Sequence, residues 1–183
     1  MIYTEITPNP DSLKFVTQRM FLRMGSADFP TFESTDESPL AKKLFDFKFV
    51  KGVFISANFI TITRDSAFQW EDIIPVMKDF IKAYLSSEQP IFTGDLEERA
   101  QNSYAEGDSD LTKRIKDILD KQIRPSVASD GGDIIYEDFI DGTLKLKMLG
   151  SCSGCPSSTV TLKNGIENLM TRMFPEIKTV EAV

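Results

Sequence analysis

Hydrophobic and polar residues alternate along several short runs in the first half of the chain, and this alternation predicts β-strands. Four runs carry the pattern: residues 1–7, 12–16, 50–56 and 59–64. The last two are rich in β-branched and aromatic residues, and Ala57-Asn58 between them favours a hairpin. Residues 25–39, which contain a glycine and two prolines, are interpreted as a loop.

Helical spacing of apolar residues occurs twice in the first half. Ser38-Pro39 is typical of the start of a short helix, in which Ala41 would lie on the outer face. Apolar residues recur at helical spacing over residues 70–85, and Pro75 within this run should kink the helix or mark a later start. The predicted order of the first half is β-β-α-β-β-α.

The second half predicts the order α-β-β-α-β. Apolar residues between Leu111 and Ile123 share one helical face, which Asp110 would cap, and Pro125 should bend or end this helix. The remaining elements follow as strand, strand, helix and strand: residues 134–140, 143–149, 160–173 and 177–183. Asp141-Gly142 favours a two-residue hairpin turn between the two adjacent strands.

An acidic stretch separates the two halves. Residues 88–110 contain seven carboxylates opposed by Arg99 alone, which accounts for most of the net charge of −7. The stretch also contains glycine, proline and small polar residues, so it is predicted to be a flexible, self-repelling linker. The fold class is therefore α+β, with two small α+β domains at 1–87 and 111–183.

The amino-acid composition of the chain argues against several classes of function. A negative net charge makes nucleic acid an improbable partner, and no apolar run is long enough to predict a membrane span. The start of the chain lacks the pattern of a secretory signal, and two thiols in 183 residues indicate a reducing compartment. The chain has no histidine, which removes the usual general base and every histidine-ligated metal site. These absences favour a protein that is not an enzyme.

The two cysteines form a CxxC motif, Cys152-Ser153-Gly154-Cys155, between the end of a predicted strand and the start of a predicted helix. Pro156 suits the first position of that helix, because a missing N–H has no consequence there. Amide groups and the helix dipole at this end are expected to favour the thiolate over the thiol. A thiolate both binds metals and attacks disulfides, so local electrostatics leaves the function open.

Four interpretations of the motif remain. Two chains that each contribute Cys152 and Cys155 would supply four thiolates, which suits a [4Fe–4S] cluster or zinc. A thiol-disulfide oxidoreductase of the thioredoxin type usually has proline between its cysteines, whereas here Pro156 lies outside the pair. A zinc-binding adaptor is the third interpretation, although one chain offers no third or fourth ligand. The pair could also be ordinary loop residues.

Two other features favour structural interpretations. Asp130-Gly131-Gly132-Asp133 predicts a turn that needs a positive φ, and this turn could support the cysteine loop. The turn lacks the residues that a phosphate-binding loop would require after it. Met148, Met170 and Met173 could be soft metal ligands, but their spacing predicts packing in the core.

The sequence resembles a known family in both halves. The matching residues of the second half are Arg124-Pro125, Asp130-Gly131-Gly132-Asp133, Leu146, Leu149 to Ser158, Thr161-Leu162-Lys163, Gly165-Ile166-Glu167 and Phe174-Pro175. Those of the first half are Thr7-Pro8-Asn9-Pro10, Leu13-Lys14-Phe15 and the β-rich run from Phe54 to Ile62. Residues 111–183 thus resemble the NifU C-terminal domain, and residues 1–87 resemble the N-terminal domain of Nfu-type iron–sulfur carriers.

The resemblance implies a specific function. Nfu-type proteins carry a [4Fe–4S] cluster bridged between two subunits and pass it to apo-proteins, and Cys152 and Cys155 are its implied ligands. A homodimer would form through the cluster, with upstream cluster-assembly proteins as donors, and residues 1–87 would help to recognise clients or donors. The implied location is the bacterial cytoplasm, or the mitochondrial matrix for a processed eukaryotic form. Neither a membrane nor a nucleic acid is implied as a partner.

Overall fold

The computed structural model describes residues 1–94, 104–153 and 156–183, the first four residues of the last range by their backbone alone. The chain divides into two compact units, Met1–Arg99 and Ala100–Val183. Both units combine helices with an antiparallel or mixed sheet, so the predicted α+β class is confirmed. Among the described residues, no helix is long and apolar enough to cross a membrane.

The first unit is a five-stranded antiparallel sheet whose inner face is packed against two helices. Its elements are β1 Tyr3–Ile6, β2 Ser12–Val16, β3 Ser26–Phe29, a 3₁₀ turn Phe32–Ser34, α1 Pro39–Leu44, β4 Val50–Ser56, β5 Phe59–Arg64 and α2 Trp70–Ser86. The strand order is β1-β2-β5-β4-β3. Alternate residues of the strands, such as Phe15, Ile60 and Ile62, bury against Leu44 and Met77 of the helices.

Most local predictions in the first unit are confirmed, and two are wrong. Strands β2, β4 and β5 have the predicted bounds, and the Ser38 hydroxyl accepts a hydrogen bond from the Ala41 amide at 3.1 Å as an N-cap. The predicted loop over 25–39 contains β3, which pairs with β4. Ala41 is fully buried rather than outward-facing. Helix α2 begins at Trp70 and continues through Pro75, so of the two predicted effects of this proline the later start does not occur.

The second unit packs helices on a three-stranded sheet in the predicted α-β-β-α-β order. Its elements are α3 Asp110–Ile118, a π-helical segment Leu119–Ile123, α4 Arg124–Ser129, β6 Gly132–Ile140, β7 Thr143–Gly150, α5 Pro156–Met173 and β8 Thr179–Ala182. Strand β7 lies in the middle, antiparallel to β6 and parallel to β8. Asp141 and Gly142 have φ values of 51° and 85°, as a tight turn with two left-handed residues requires.

The first helical stretch of the second unit has a different N-cap from the predicted one and continues past Pro125. Ser109, not Asp110, is the N-cap, because its hydroxyl accepts from the Thr112 amide at 3.0 Å. Pro125 does not end the helix. The π-helical segment precedes it, and the Arg124 amide bonds to the Leu119 carbonyl five residues earlier. The wider turn makes room for a proline ring that would collide with an ordinary helical carbonyl.

Both ends of the predicted linker belong to the folded units. Ile91 is buried in the core of the first unit, where its carbonyl accepts a 2.7 Å hydrogen bond from Ser38. Asp108 forms a 2.7 Å ion pair with Lys116, whose side chain is 8% exposed. Ordered contacts of the two units thus extend into both ends of the predicted linker 88–110. Residues 95–103 lie outside the described residues, so the flexibility of the linker stays a prediction.

Candidate metal centre

The cysteine loop lies between the end of β7 and the start of α5. Strand β7 ends at Gly150, which has a φ of 65° and pairs with Gly132 of β6. Both the amide and the hydroxyl of Ser153 donate to the Gly150 carbonyl, at 3.1 and 2.9 Å. The left-handed glycine thus turns the chain out of the sheet, and Ser153 closes the turn behind Cys152.

The turn at residues 130–133 packs against this loop, as predicted. Gly131 has the expected positive φ, at 81°. The Ser151 amide donates to the Gly131 carbonyl at 3.2 Å, and the Ser151 hydroxyl donates to the Asp130 carbonyl. The residue before Cys152 is therefore hydrogen-bonded twice to the backbone of the turn. Hereafter residues 130–133 are called the supporting turn.

An ion pair fixes the supporting turn to the preceding helix. The Arg124 guanidinium donates from Nε and Nη2 to the two carboxylate oxygens of Asp133, both at 2.7 Å, and from Nη1 to Asp120 at 3.0 Å. Asp133 is 4% exposed and also accepts from the Ile134 amide at 2.8 Å. The bonds to Asp133 raise the pKa of Arg124, although burial opposes this shift. Sequence analysis noted Arg124 only as part of a family resemblance and missed the pair.

The structure places Cys152 in the hydrophobic core of the second unit. Its side chain is 4% exposed, and its sulfur lies so close to Gly132 that an added Cβ there would stand 2.8 Å from Sγ. Burial raises the pKa of the Cys152 thiol to about 11. A 3.8 Å contact with the Ser151 hydroxyl opposes that shift, and the carboxylates of Asp130 and Asp133 add to it.

The expectation that the loop favours the thiolate is therefore wrong for Cys152 in this conformation. Withdrawal of the sulfur from water disfavours the thiolate, because an apolar surrounding penalises the charged form. Helix α5 does begin at Pro156, as predicted. In this conformation the Cys152 sulfur is buried and not presented at the surface.

Of the two predicted cluster ligands, the structure describes only Cys152. Cys155, the second predicted ligand, lies outside the described residues. Within the ranges that are described, no three carboxylate, cysteine or histidine side chains come close enough to hold a metal ion. Met148 and Met170 are buried in the core, as predicted, whereas Met173 is 37% exposed near the end of α5, so its core prediction is wrong.

Comparison with known proteins relates both halves of the chain to described families. Residues 2–88 match the family described as "Scaffold protein Nfu/NifU N terminal", and residues 115–181 match the family described as "NifU-like domain". A human protein named "NFU1 iron-sulfur cluster scaffold homolog, mitochondrial" is 42% identical over 183 residues, and the chain covers 71% of it. The chain belongs to the Nfu family of iron–sulfur cluster scaffold proteins.

Other relatives differ in how much of their length the chain covers. A Nfu relative of the same name from Drosophila erecta is 44% identical, and the chain spans 64% of its length. The solution NMR structure of a NifU-like protein from Saccharomyces cerevisiae aligns with a TM-score of 0.46 at 24% identity. That alignment covers 52% of this chain and 86% of the yeast chain.

Proposed function

We propose that this chain is a scaffold and carrier that holds a [4Fe–4S] cluster between two copies of itself and passes it to apo-proteins. The observation that carries the proposal is the CxxC motif of an Nfu family member whose other residues include no further cysteine and no histidine. A cluster of this type takes four thiolates, and one chain supplies two. The two copies would therefore meet over the cluster, with Cys152 and Cys155 of each as ligands.

In this proposal the cluster is cargo, and the chain needs no catalytic group to move it. Thiolates of an apo-protein replace those of the scaffold one at a time, and no general base takes part. Gly150 and Ser153 shape the loop that carries the sulfurs, and Cys152 leaves its buried position when it binds iron. Formation of the iron–sulfur bond supplies the driving force for this movement, and the thiol releases its proton to solvent as it coordinates. The chain is accordingly a carrier and not an enzyme.

The same proposal assigns a place and partners. The human and Drosophila relatives are named as mitochondrial proteins, which supports the mitochondrial matrix as the site of action. The partners are apo iron–sulfur proteins downstream and cluster-assembly proteins upstream. We assign the cluster to residues 111–183 and the recognition of clients or donors to residues 1–87, with the acidic segment as a flexible connection.

Air-free reconstitution with iron and sulfide tests the proposal. The unchanged chain should bind about two iron and two sulfide per copy. Cys152→Ser and Cys155→Ser should each lose the cluster, because each removes two of the four thiolates of a dimer. Asn164→Ala is the control, since it changes an exposed residue of α5 that takes no part in the described contacts of the cysteine loop and removes no sulfur. A full cluster on either cysteine variant would overturn the assignment.

The rival interpretation is a thiol-disulfide oxidoreductase that uses the same two cysteines. Such an enzyme needs an accessible thiolate, whereas Cys152 is buried and its pKa is raised to about 11. Rapid reduction of insulin disulfides by metal-free monomer would favour the rival. Metal analysis of protein purified without air separates iron from the zinc that an adaptor would hold.

A further inference from the structure

We propose that Arg124 is a positioning residue for the cluster ligand: through Asp133 it holds the supporting turn closed over Cys152 in the metal-free chain. Opening of this turn then lets the sulfur leave the core and reach iron. The first statement concerns the metal-free protein alone, and the second rests on the proposed function. The link from Arg124 to Cys152 passes through described contacts, each of which can be tested.

The first link is the ion pair. Arg124 meets Asp133 through two parallel bonds of 2.7 Å, and the Asp133 side chain is 6% exposed. A bidentate arrangement fixes the angle of the carboxylate as well as its distance. Asp133 directly follows Gly132, the first residue of β6. The Arg124 guanidinium therefore holds the beginning of this strand in place.

The second link runs from the supporting turn to the sulfur. Gly132 lies against Cys152, since an added Cβ would be 3.3 Å from Cys152 Cβ and 2.8 Å from its sulfur. Ser151 is bonded to the backbone of Gly131 and Asp130. The turn therefore covers the sulfur with Gly132 and holds the neighbouring residue with two hydrogen bonds.

The third link is that Cys152, in its buried position, cannot bind a cluster that is shared with a second chain. A sulfur that bridges to a cluster shared with a second chain has to lie at the protein surface, whereas Cys152 is 4% exposed. The hydrogen bonds from Ser151 to the supporting turn must break before Cys152 can move from its buried position to the surface. Weakening the Arg124–Asp133 pair should raise the population of the open position, because local opening is governed by the contacts of the segment that moves.

Thiol labelling of the metal-free chain tests the positioning role. In a Cys155→Ser background, Cys152 is the single cysteine, and the neutral reagent 4,4′-dithiodipyridine reports its access to solvent. Arg124→Gln should raise the labelling rate about tenfold or more, because a charge-assisted hydrogen bond contributes at least that factor to a local equilibrium. Arg124→Lys keeps the charge but not the paired geometry, and it should raise the rate less.

Electrostatics alone would change the rate in the other direction. Loss of Arg124 removes the counter-charge of Asp133, whose carboxylate disfavours the Cys152 thiolate, and this slows attack by the sulfur. Lys121→Gln is the matched control, because it removes an exposed ion pair with Asp117 on the same helical stretch, at 3.1 Å, without touching the supporting turn. Its labelling rate should equal that of the parent.

Urea dependence separates positioning from general stability. Local opening exposes little surface, so the faster rate of Arg124→Gln should depend only weakly on low urea concentrations. Ser151→Ala, which weakens the other end of the link, should also speed labelling. An unchanged rate in both variants, or a rise with the steep urea dependence of global unfolding, would overturn the proposal. A chain that never binds iron would refute the proposed function and leave the labelling result standing.

Discussion

Gly132 is the position at which one added methyl group should most disturb the cysteine loop. An ideal Cβ at this residue would lie 2.5 Å from the Leu149 carbonyl oxygen and 2.8 Å from Cys152 Sγ. The oxygen belongs to the backbone of β7, where Leu149 pairs with Asp133. This backbone oxygen cannot move aside as the end of a flexible side chain could. Gly132→Ala should therefore push apart the strand, the turn and the loop.

The size of the effect follows from the contacts. A carbon and a carbonyl oxygen normally approach no closer than about 3.3 Å, so the new atom is roughly 0.8 Å too close. Overpacking of this kind destabilises proteins by about 1–3 kcal/mol. Replacing glycine by alanine also restricts the unfolded chain and returns at most about 1 kcal/mol. We expect a net loss of about 2 kcal/mol in the free energy of unfolding.

Urea unfolding followed by circular dichroism measures this loss. With a slope of about 1–2 kcal/mol per molar urea, the midpoint of the second unit should fall by about 1–2 M. Gly165→Ala provides the matched control. Gly165 lies inside α5 with no atom within 4 Å of its added Cβ, so the same substitution should stabilise by up to about 1 kcal/mol.

Gly132→Ala and Gly165→Ala each add one methyl group, but the first should lower the urea midpoint and the second should raise it. A Gly132→Ala midpoint equal to or above that of the parent would refute the close approach of Gly132 to Cys152. Faster labelling of Cys152 in Gly132→Ala would show in addition that the disturbance reaches the sulfur.

Two further predictions concern other contacts of the second unit. Lys116→Met should lower the urea midpoint more than Lys121→Met. Lys116 pairs with Asp108 at 2.7 Å and its side chain is 8% exposed, whereas the side chain of Lys121 is 71% exposed. Equal shifts of the midpoint in the two variants would contradict this prediction. The Val180 amide and the Thr179 hydroxyl both donate to Glu167 at 2.8 Å and lower its pKa from 4.5. This carboxylate therefore adds stability above its unfolded pKa that is lost as the pH falls through the lower folded pKa. Glu167→Gln should make the urea midpoint less sensitive to acid; an unchanged pH profile would count against the contact.

The features that sequence analysis predicted correctly are those that neighbouring residues determine. Asp141-Gly142 specifies a turn because both residues tolerate a positive φ, and Ser38 caps a helix three residues from its partner amide. The alternation in β4 and β5 shows the buried face of a sheet without any knowledge of its neighbours.

The features that it missed depend on contacts distant in sequence. The short strand β3 is defined by its pairing with β4, which its own four residues do not reveal. The CxxC motif shows that two sulfurs are available, but the burial of Cys152 depends on Gly132 and on the ladder between β6 and β7. The pair of Arg124 and Asp133 forms only because the supporting turn folds back on α4.

The most direct test of the proposed function is the native mass of the chain after air-free reconstitution. The proposal predicts a species of twice the chain mass of 20.6 kDa plus one [4Fe–4S] cluster, which returns to single chains when the cluster is chelated. A chain that stays single and free of iron under these conditions, with all its thiols reduced, would contradict it.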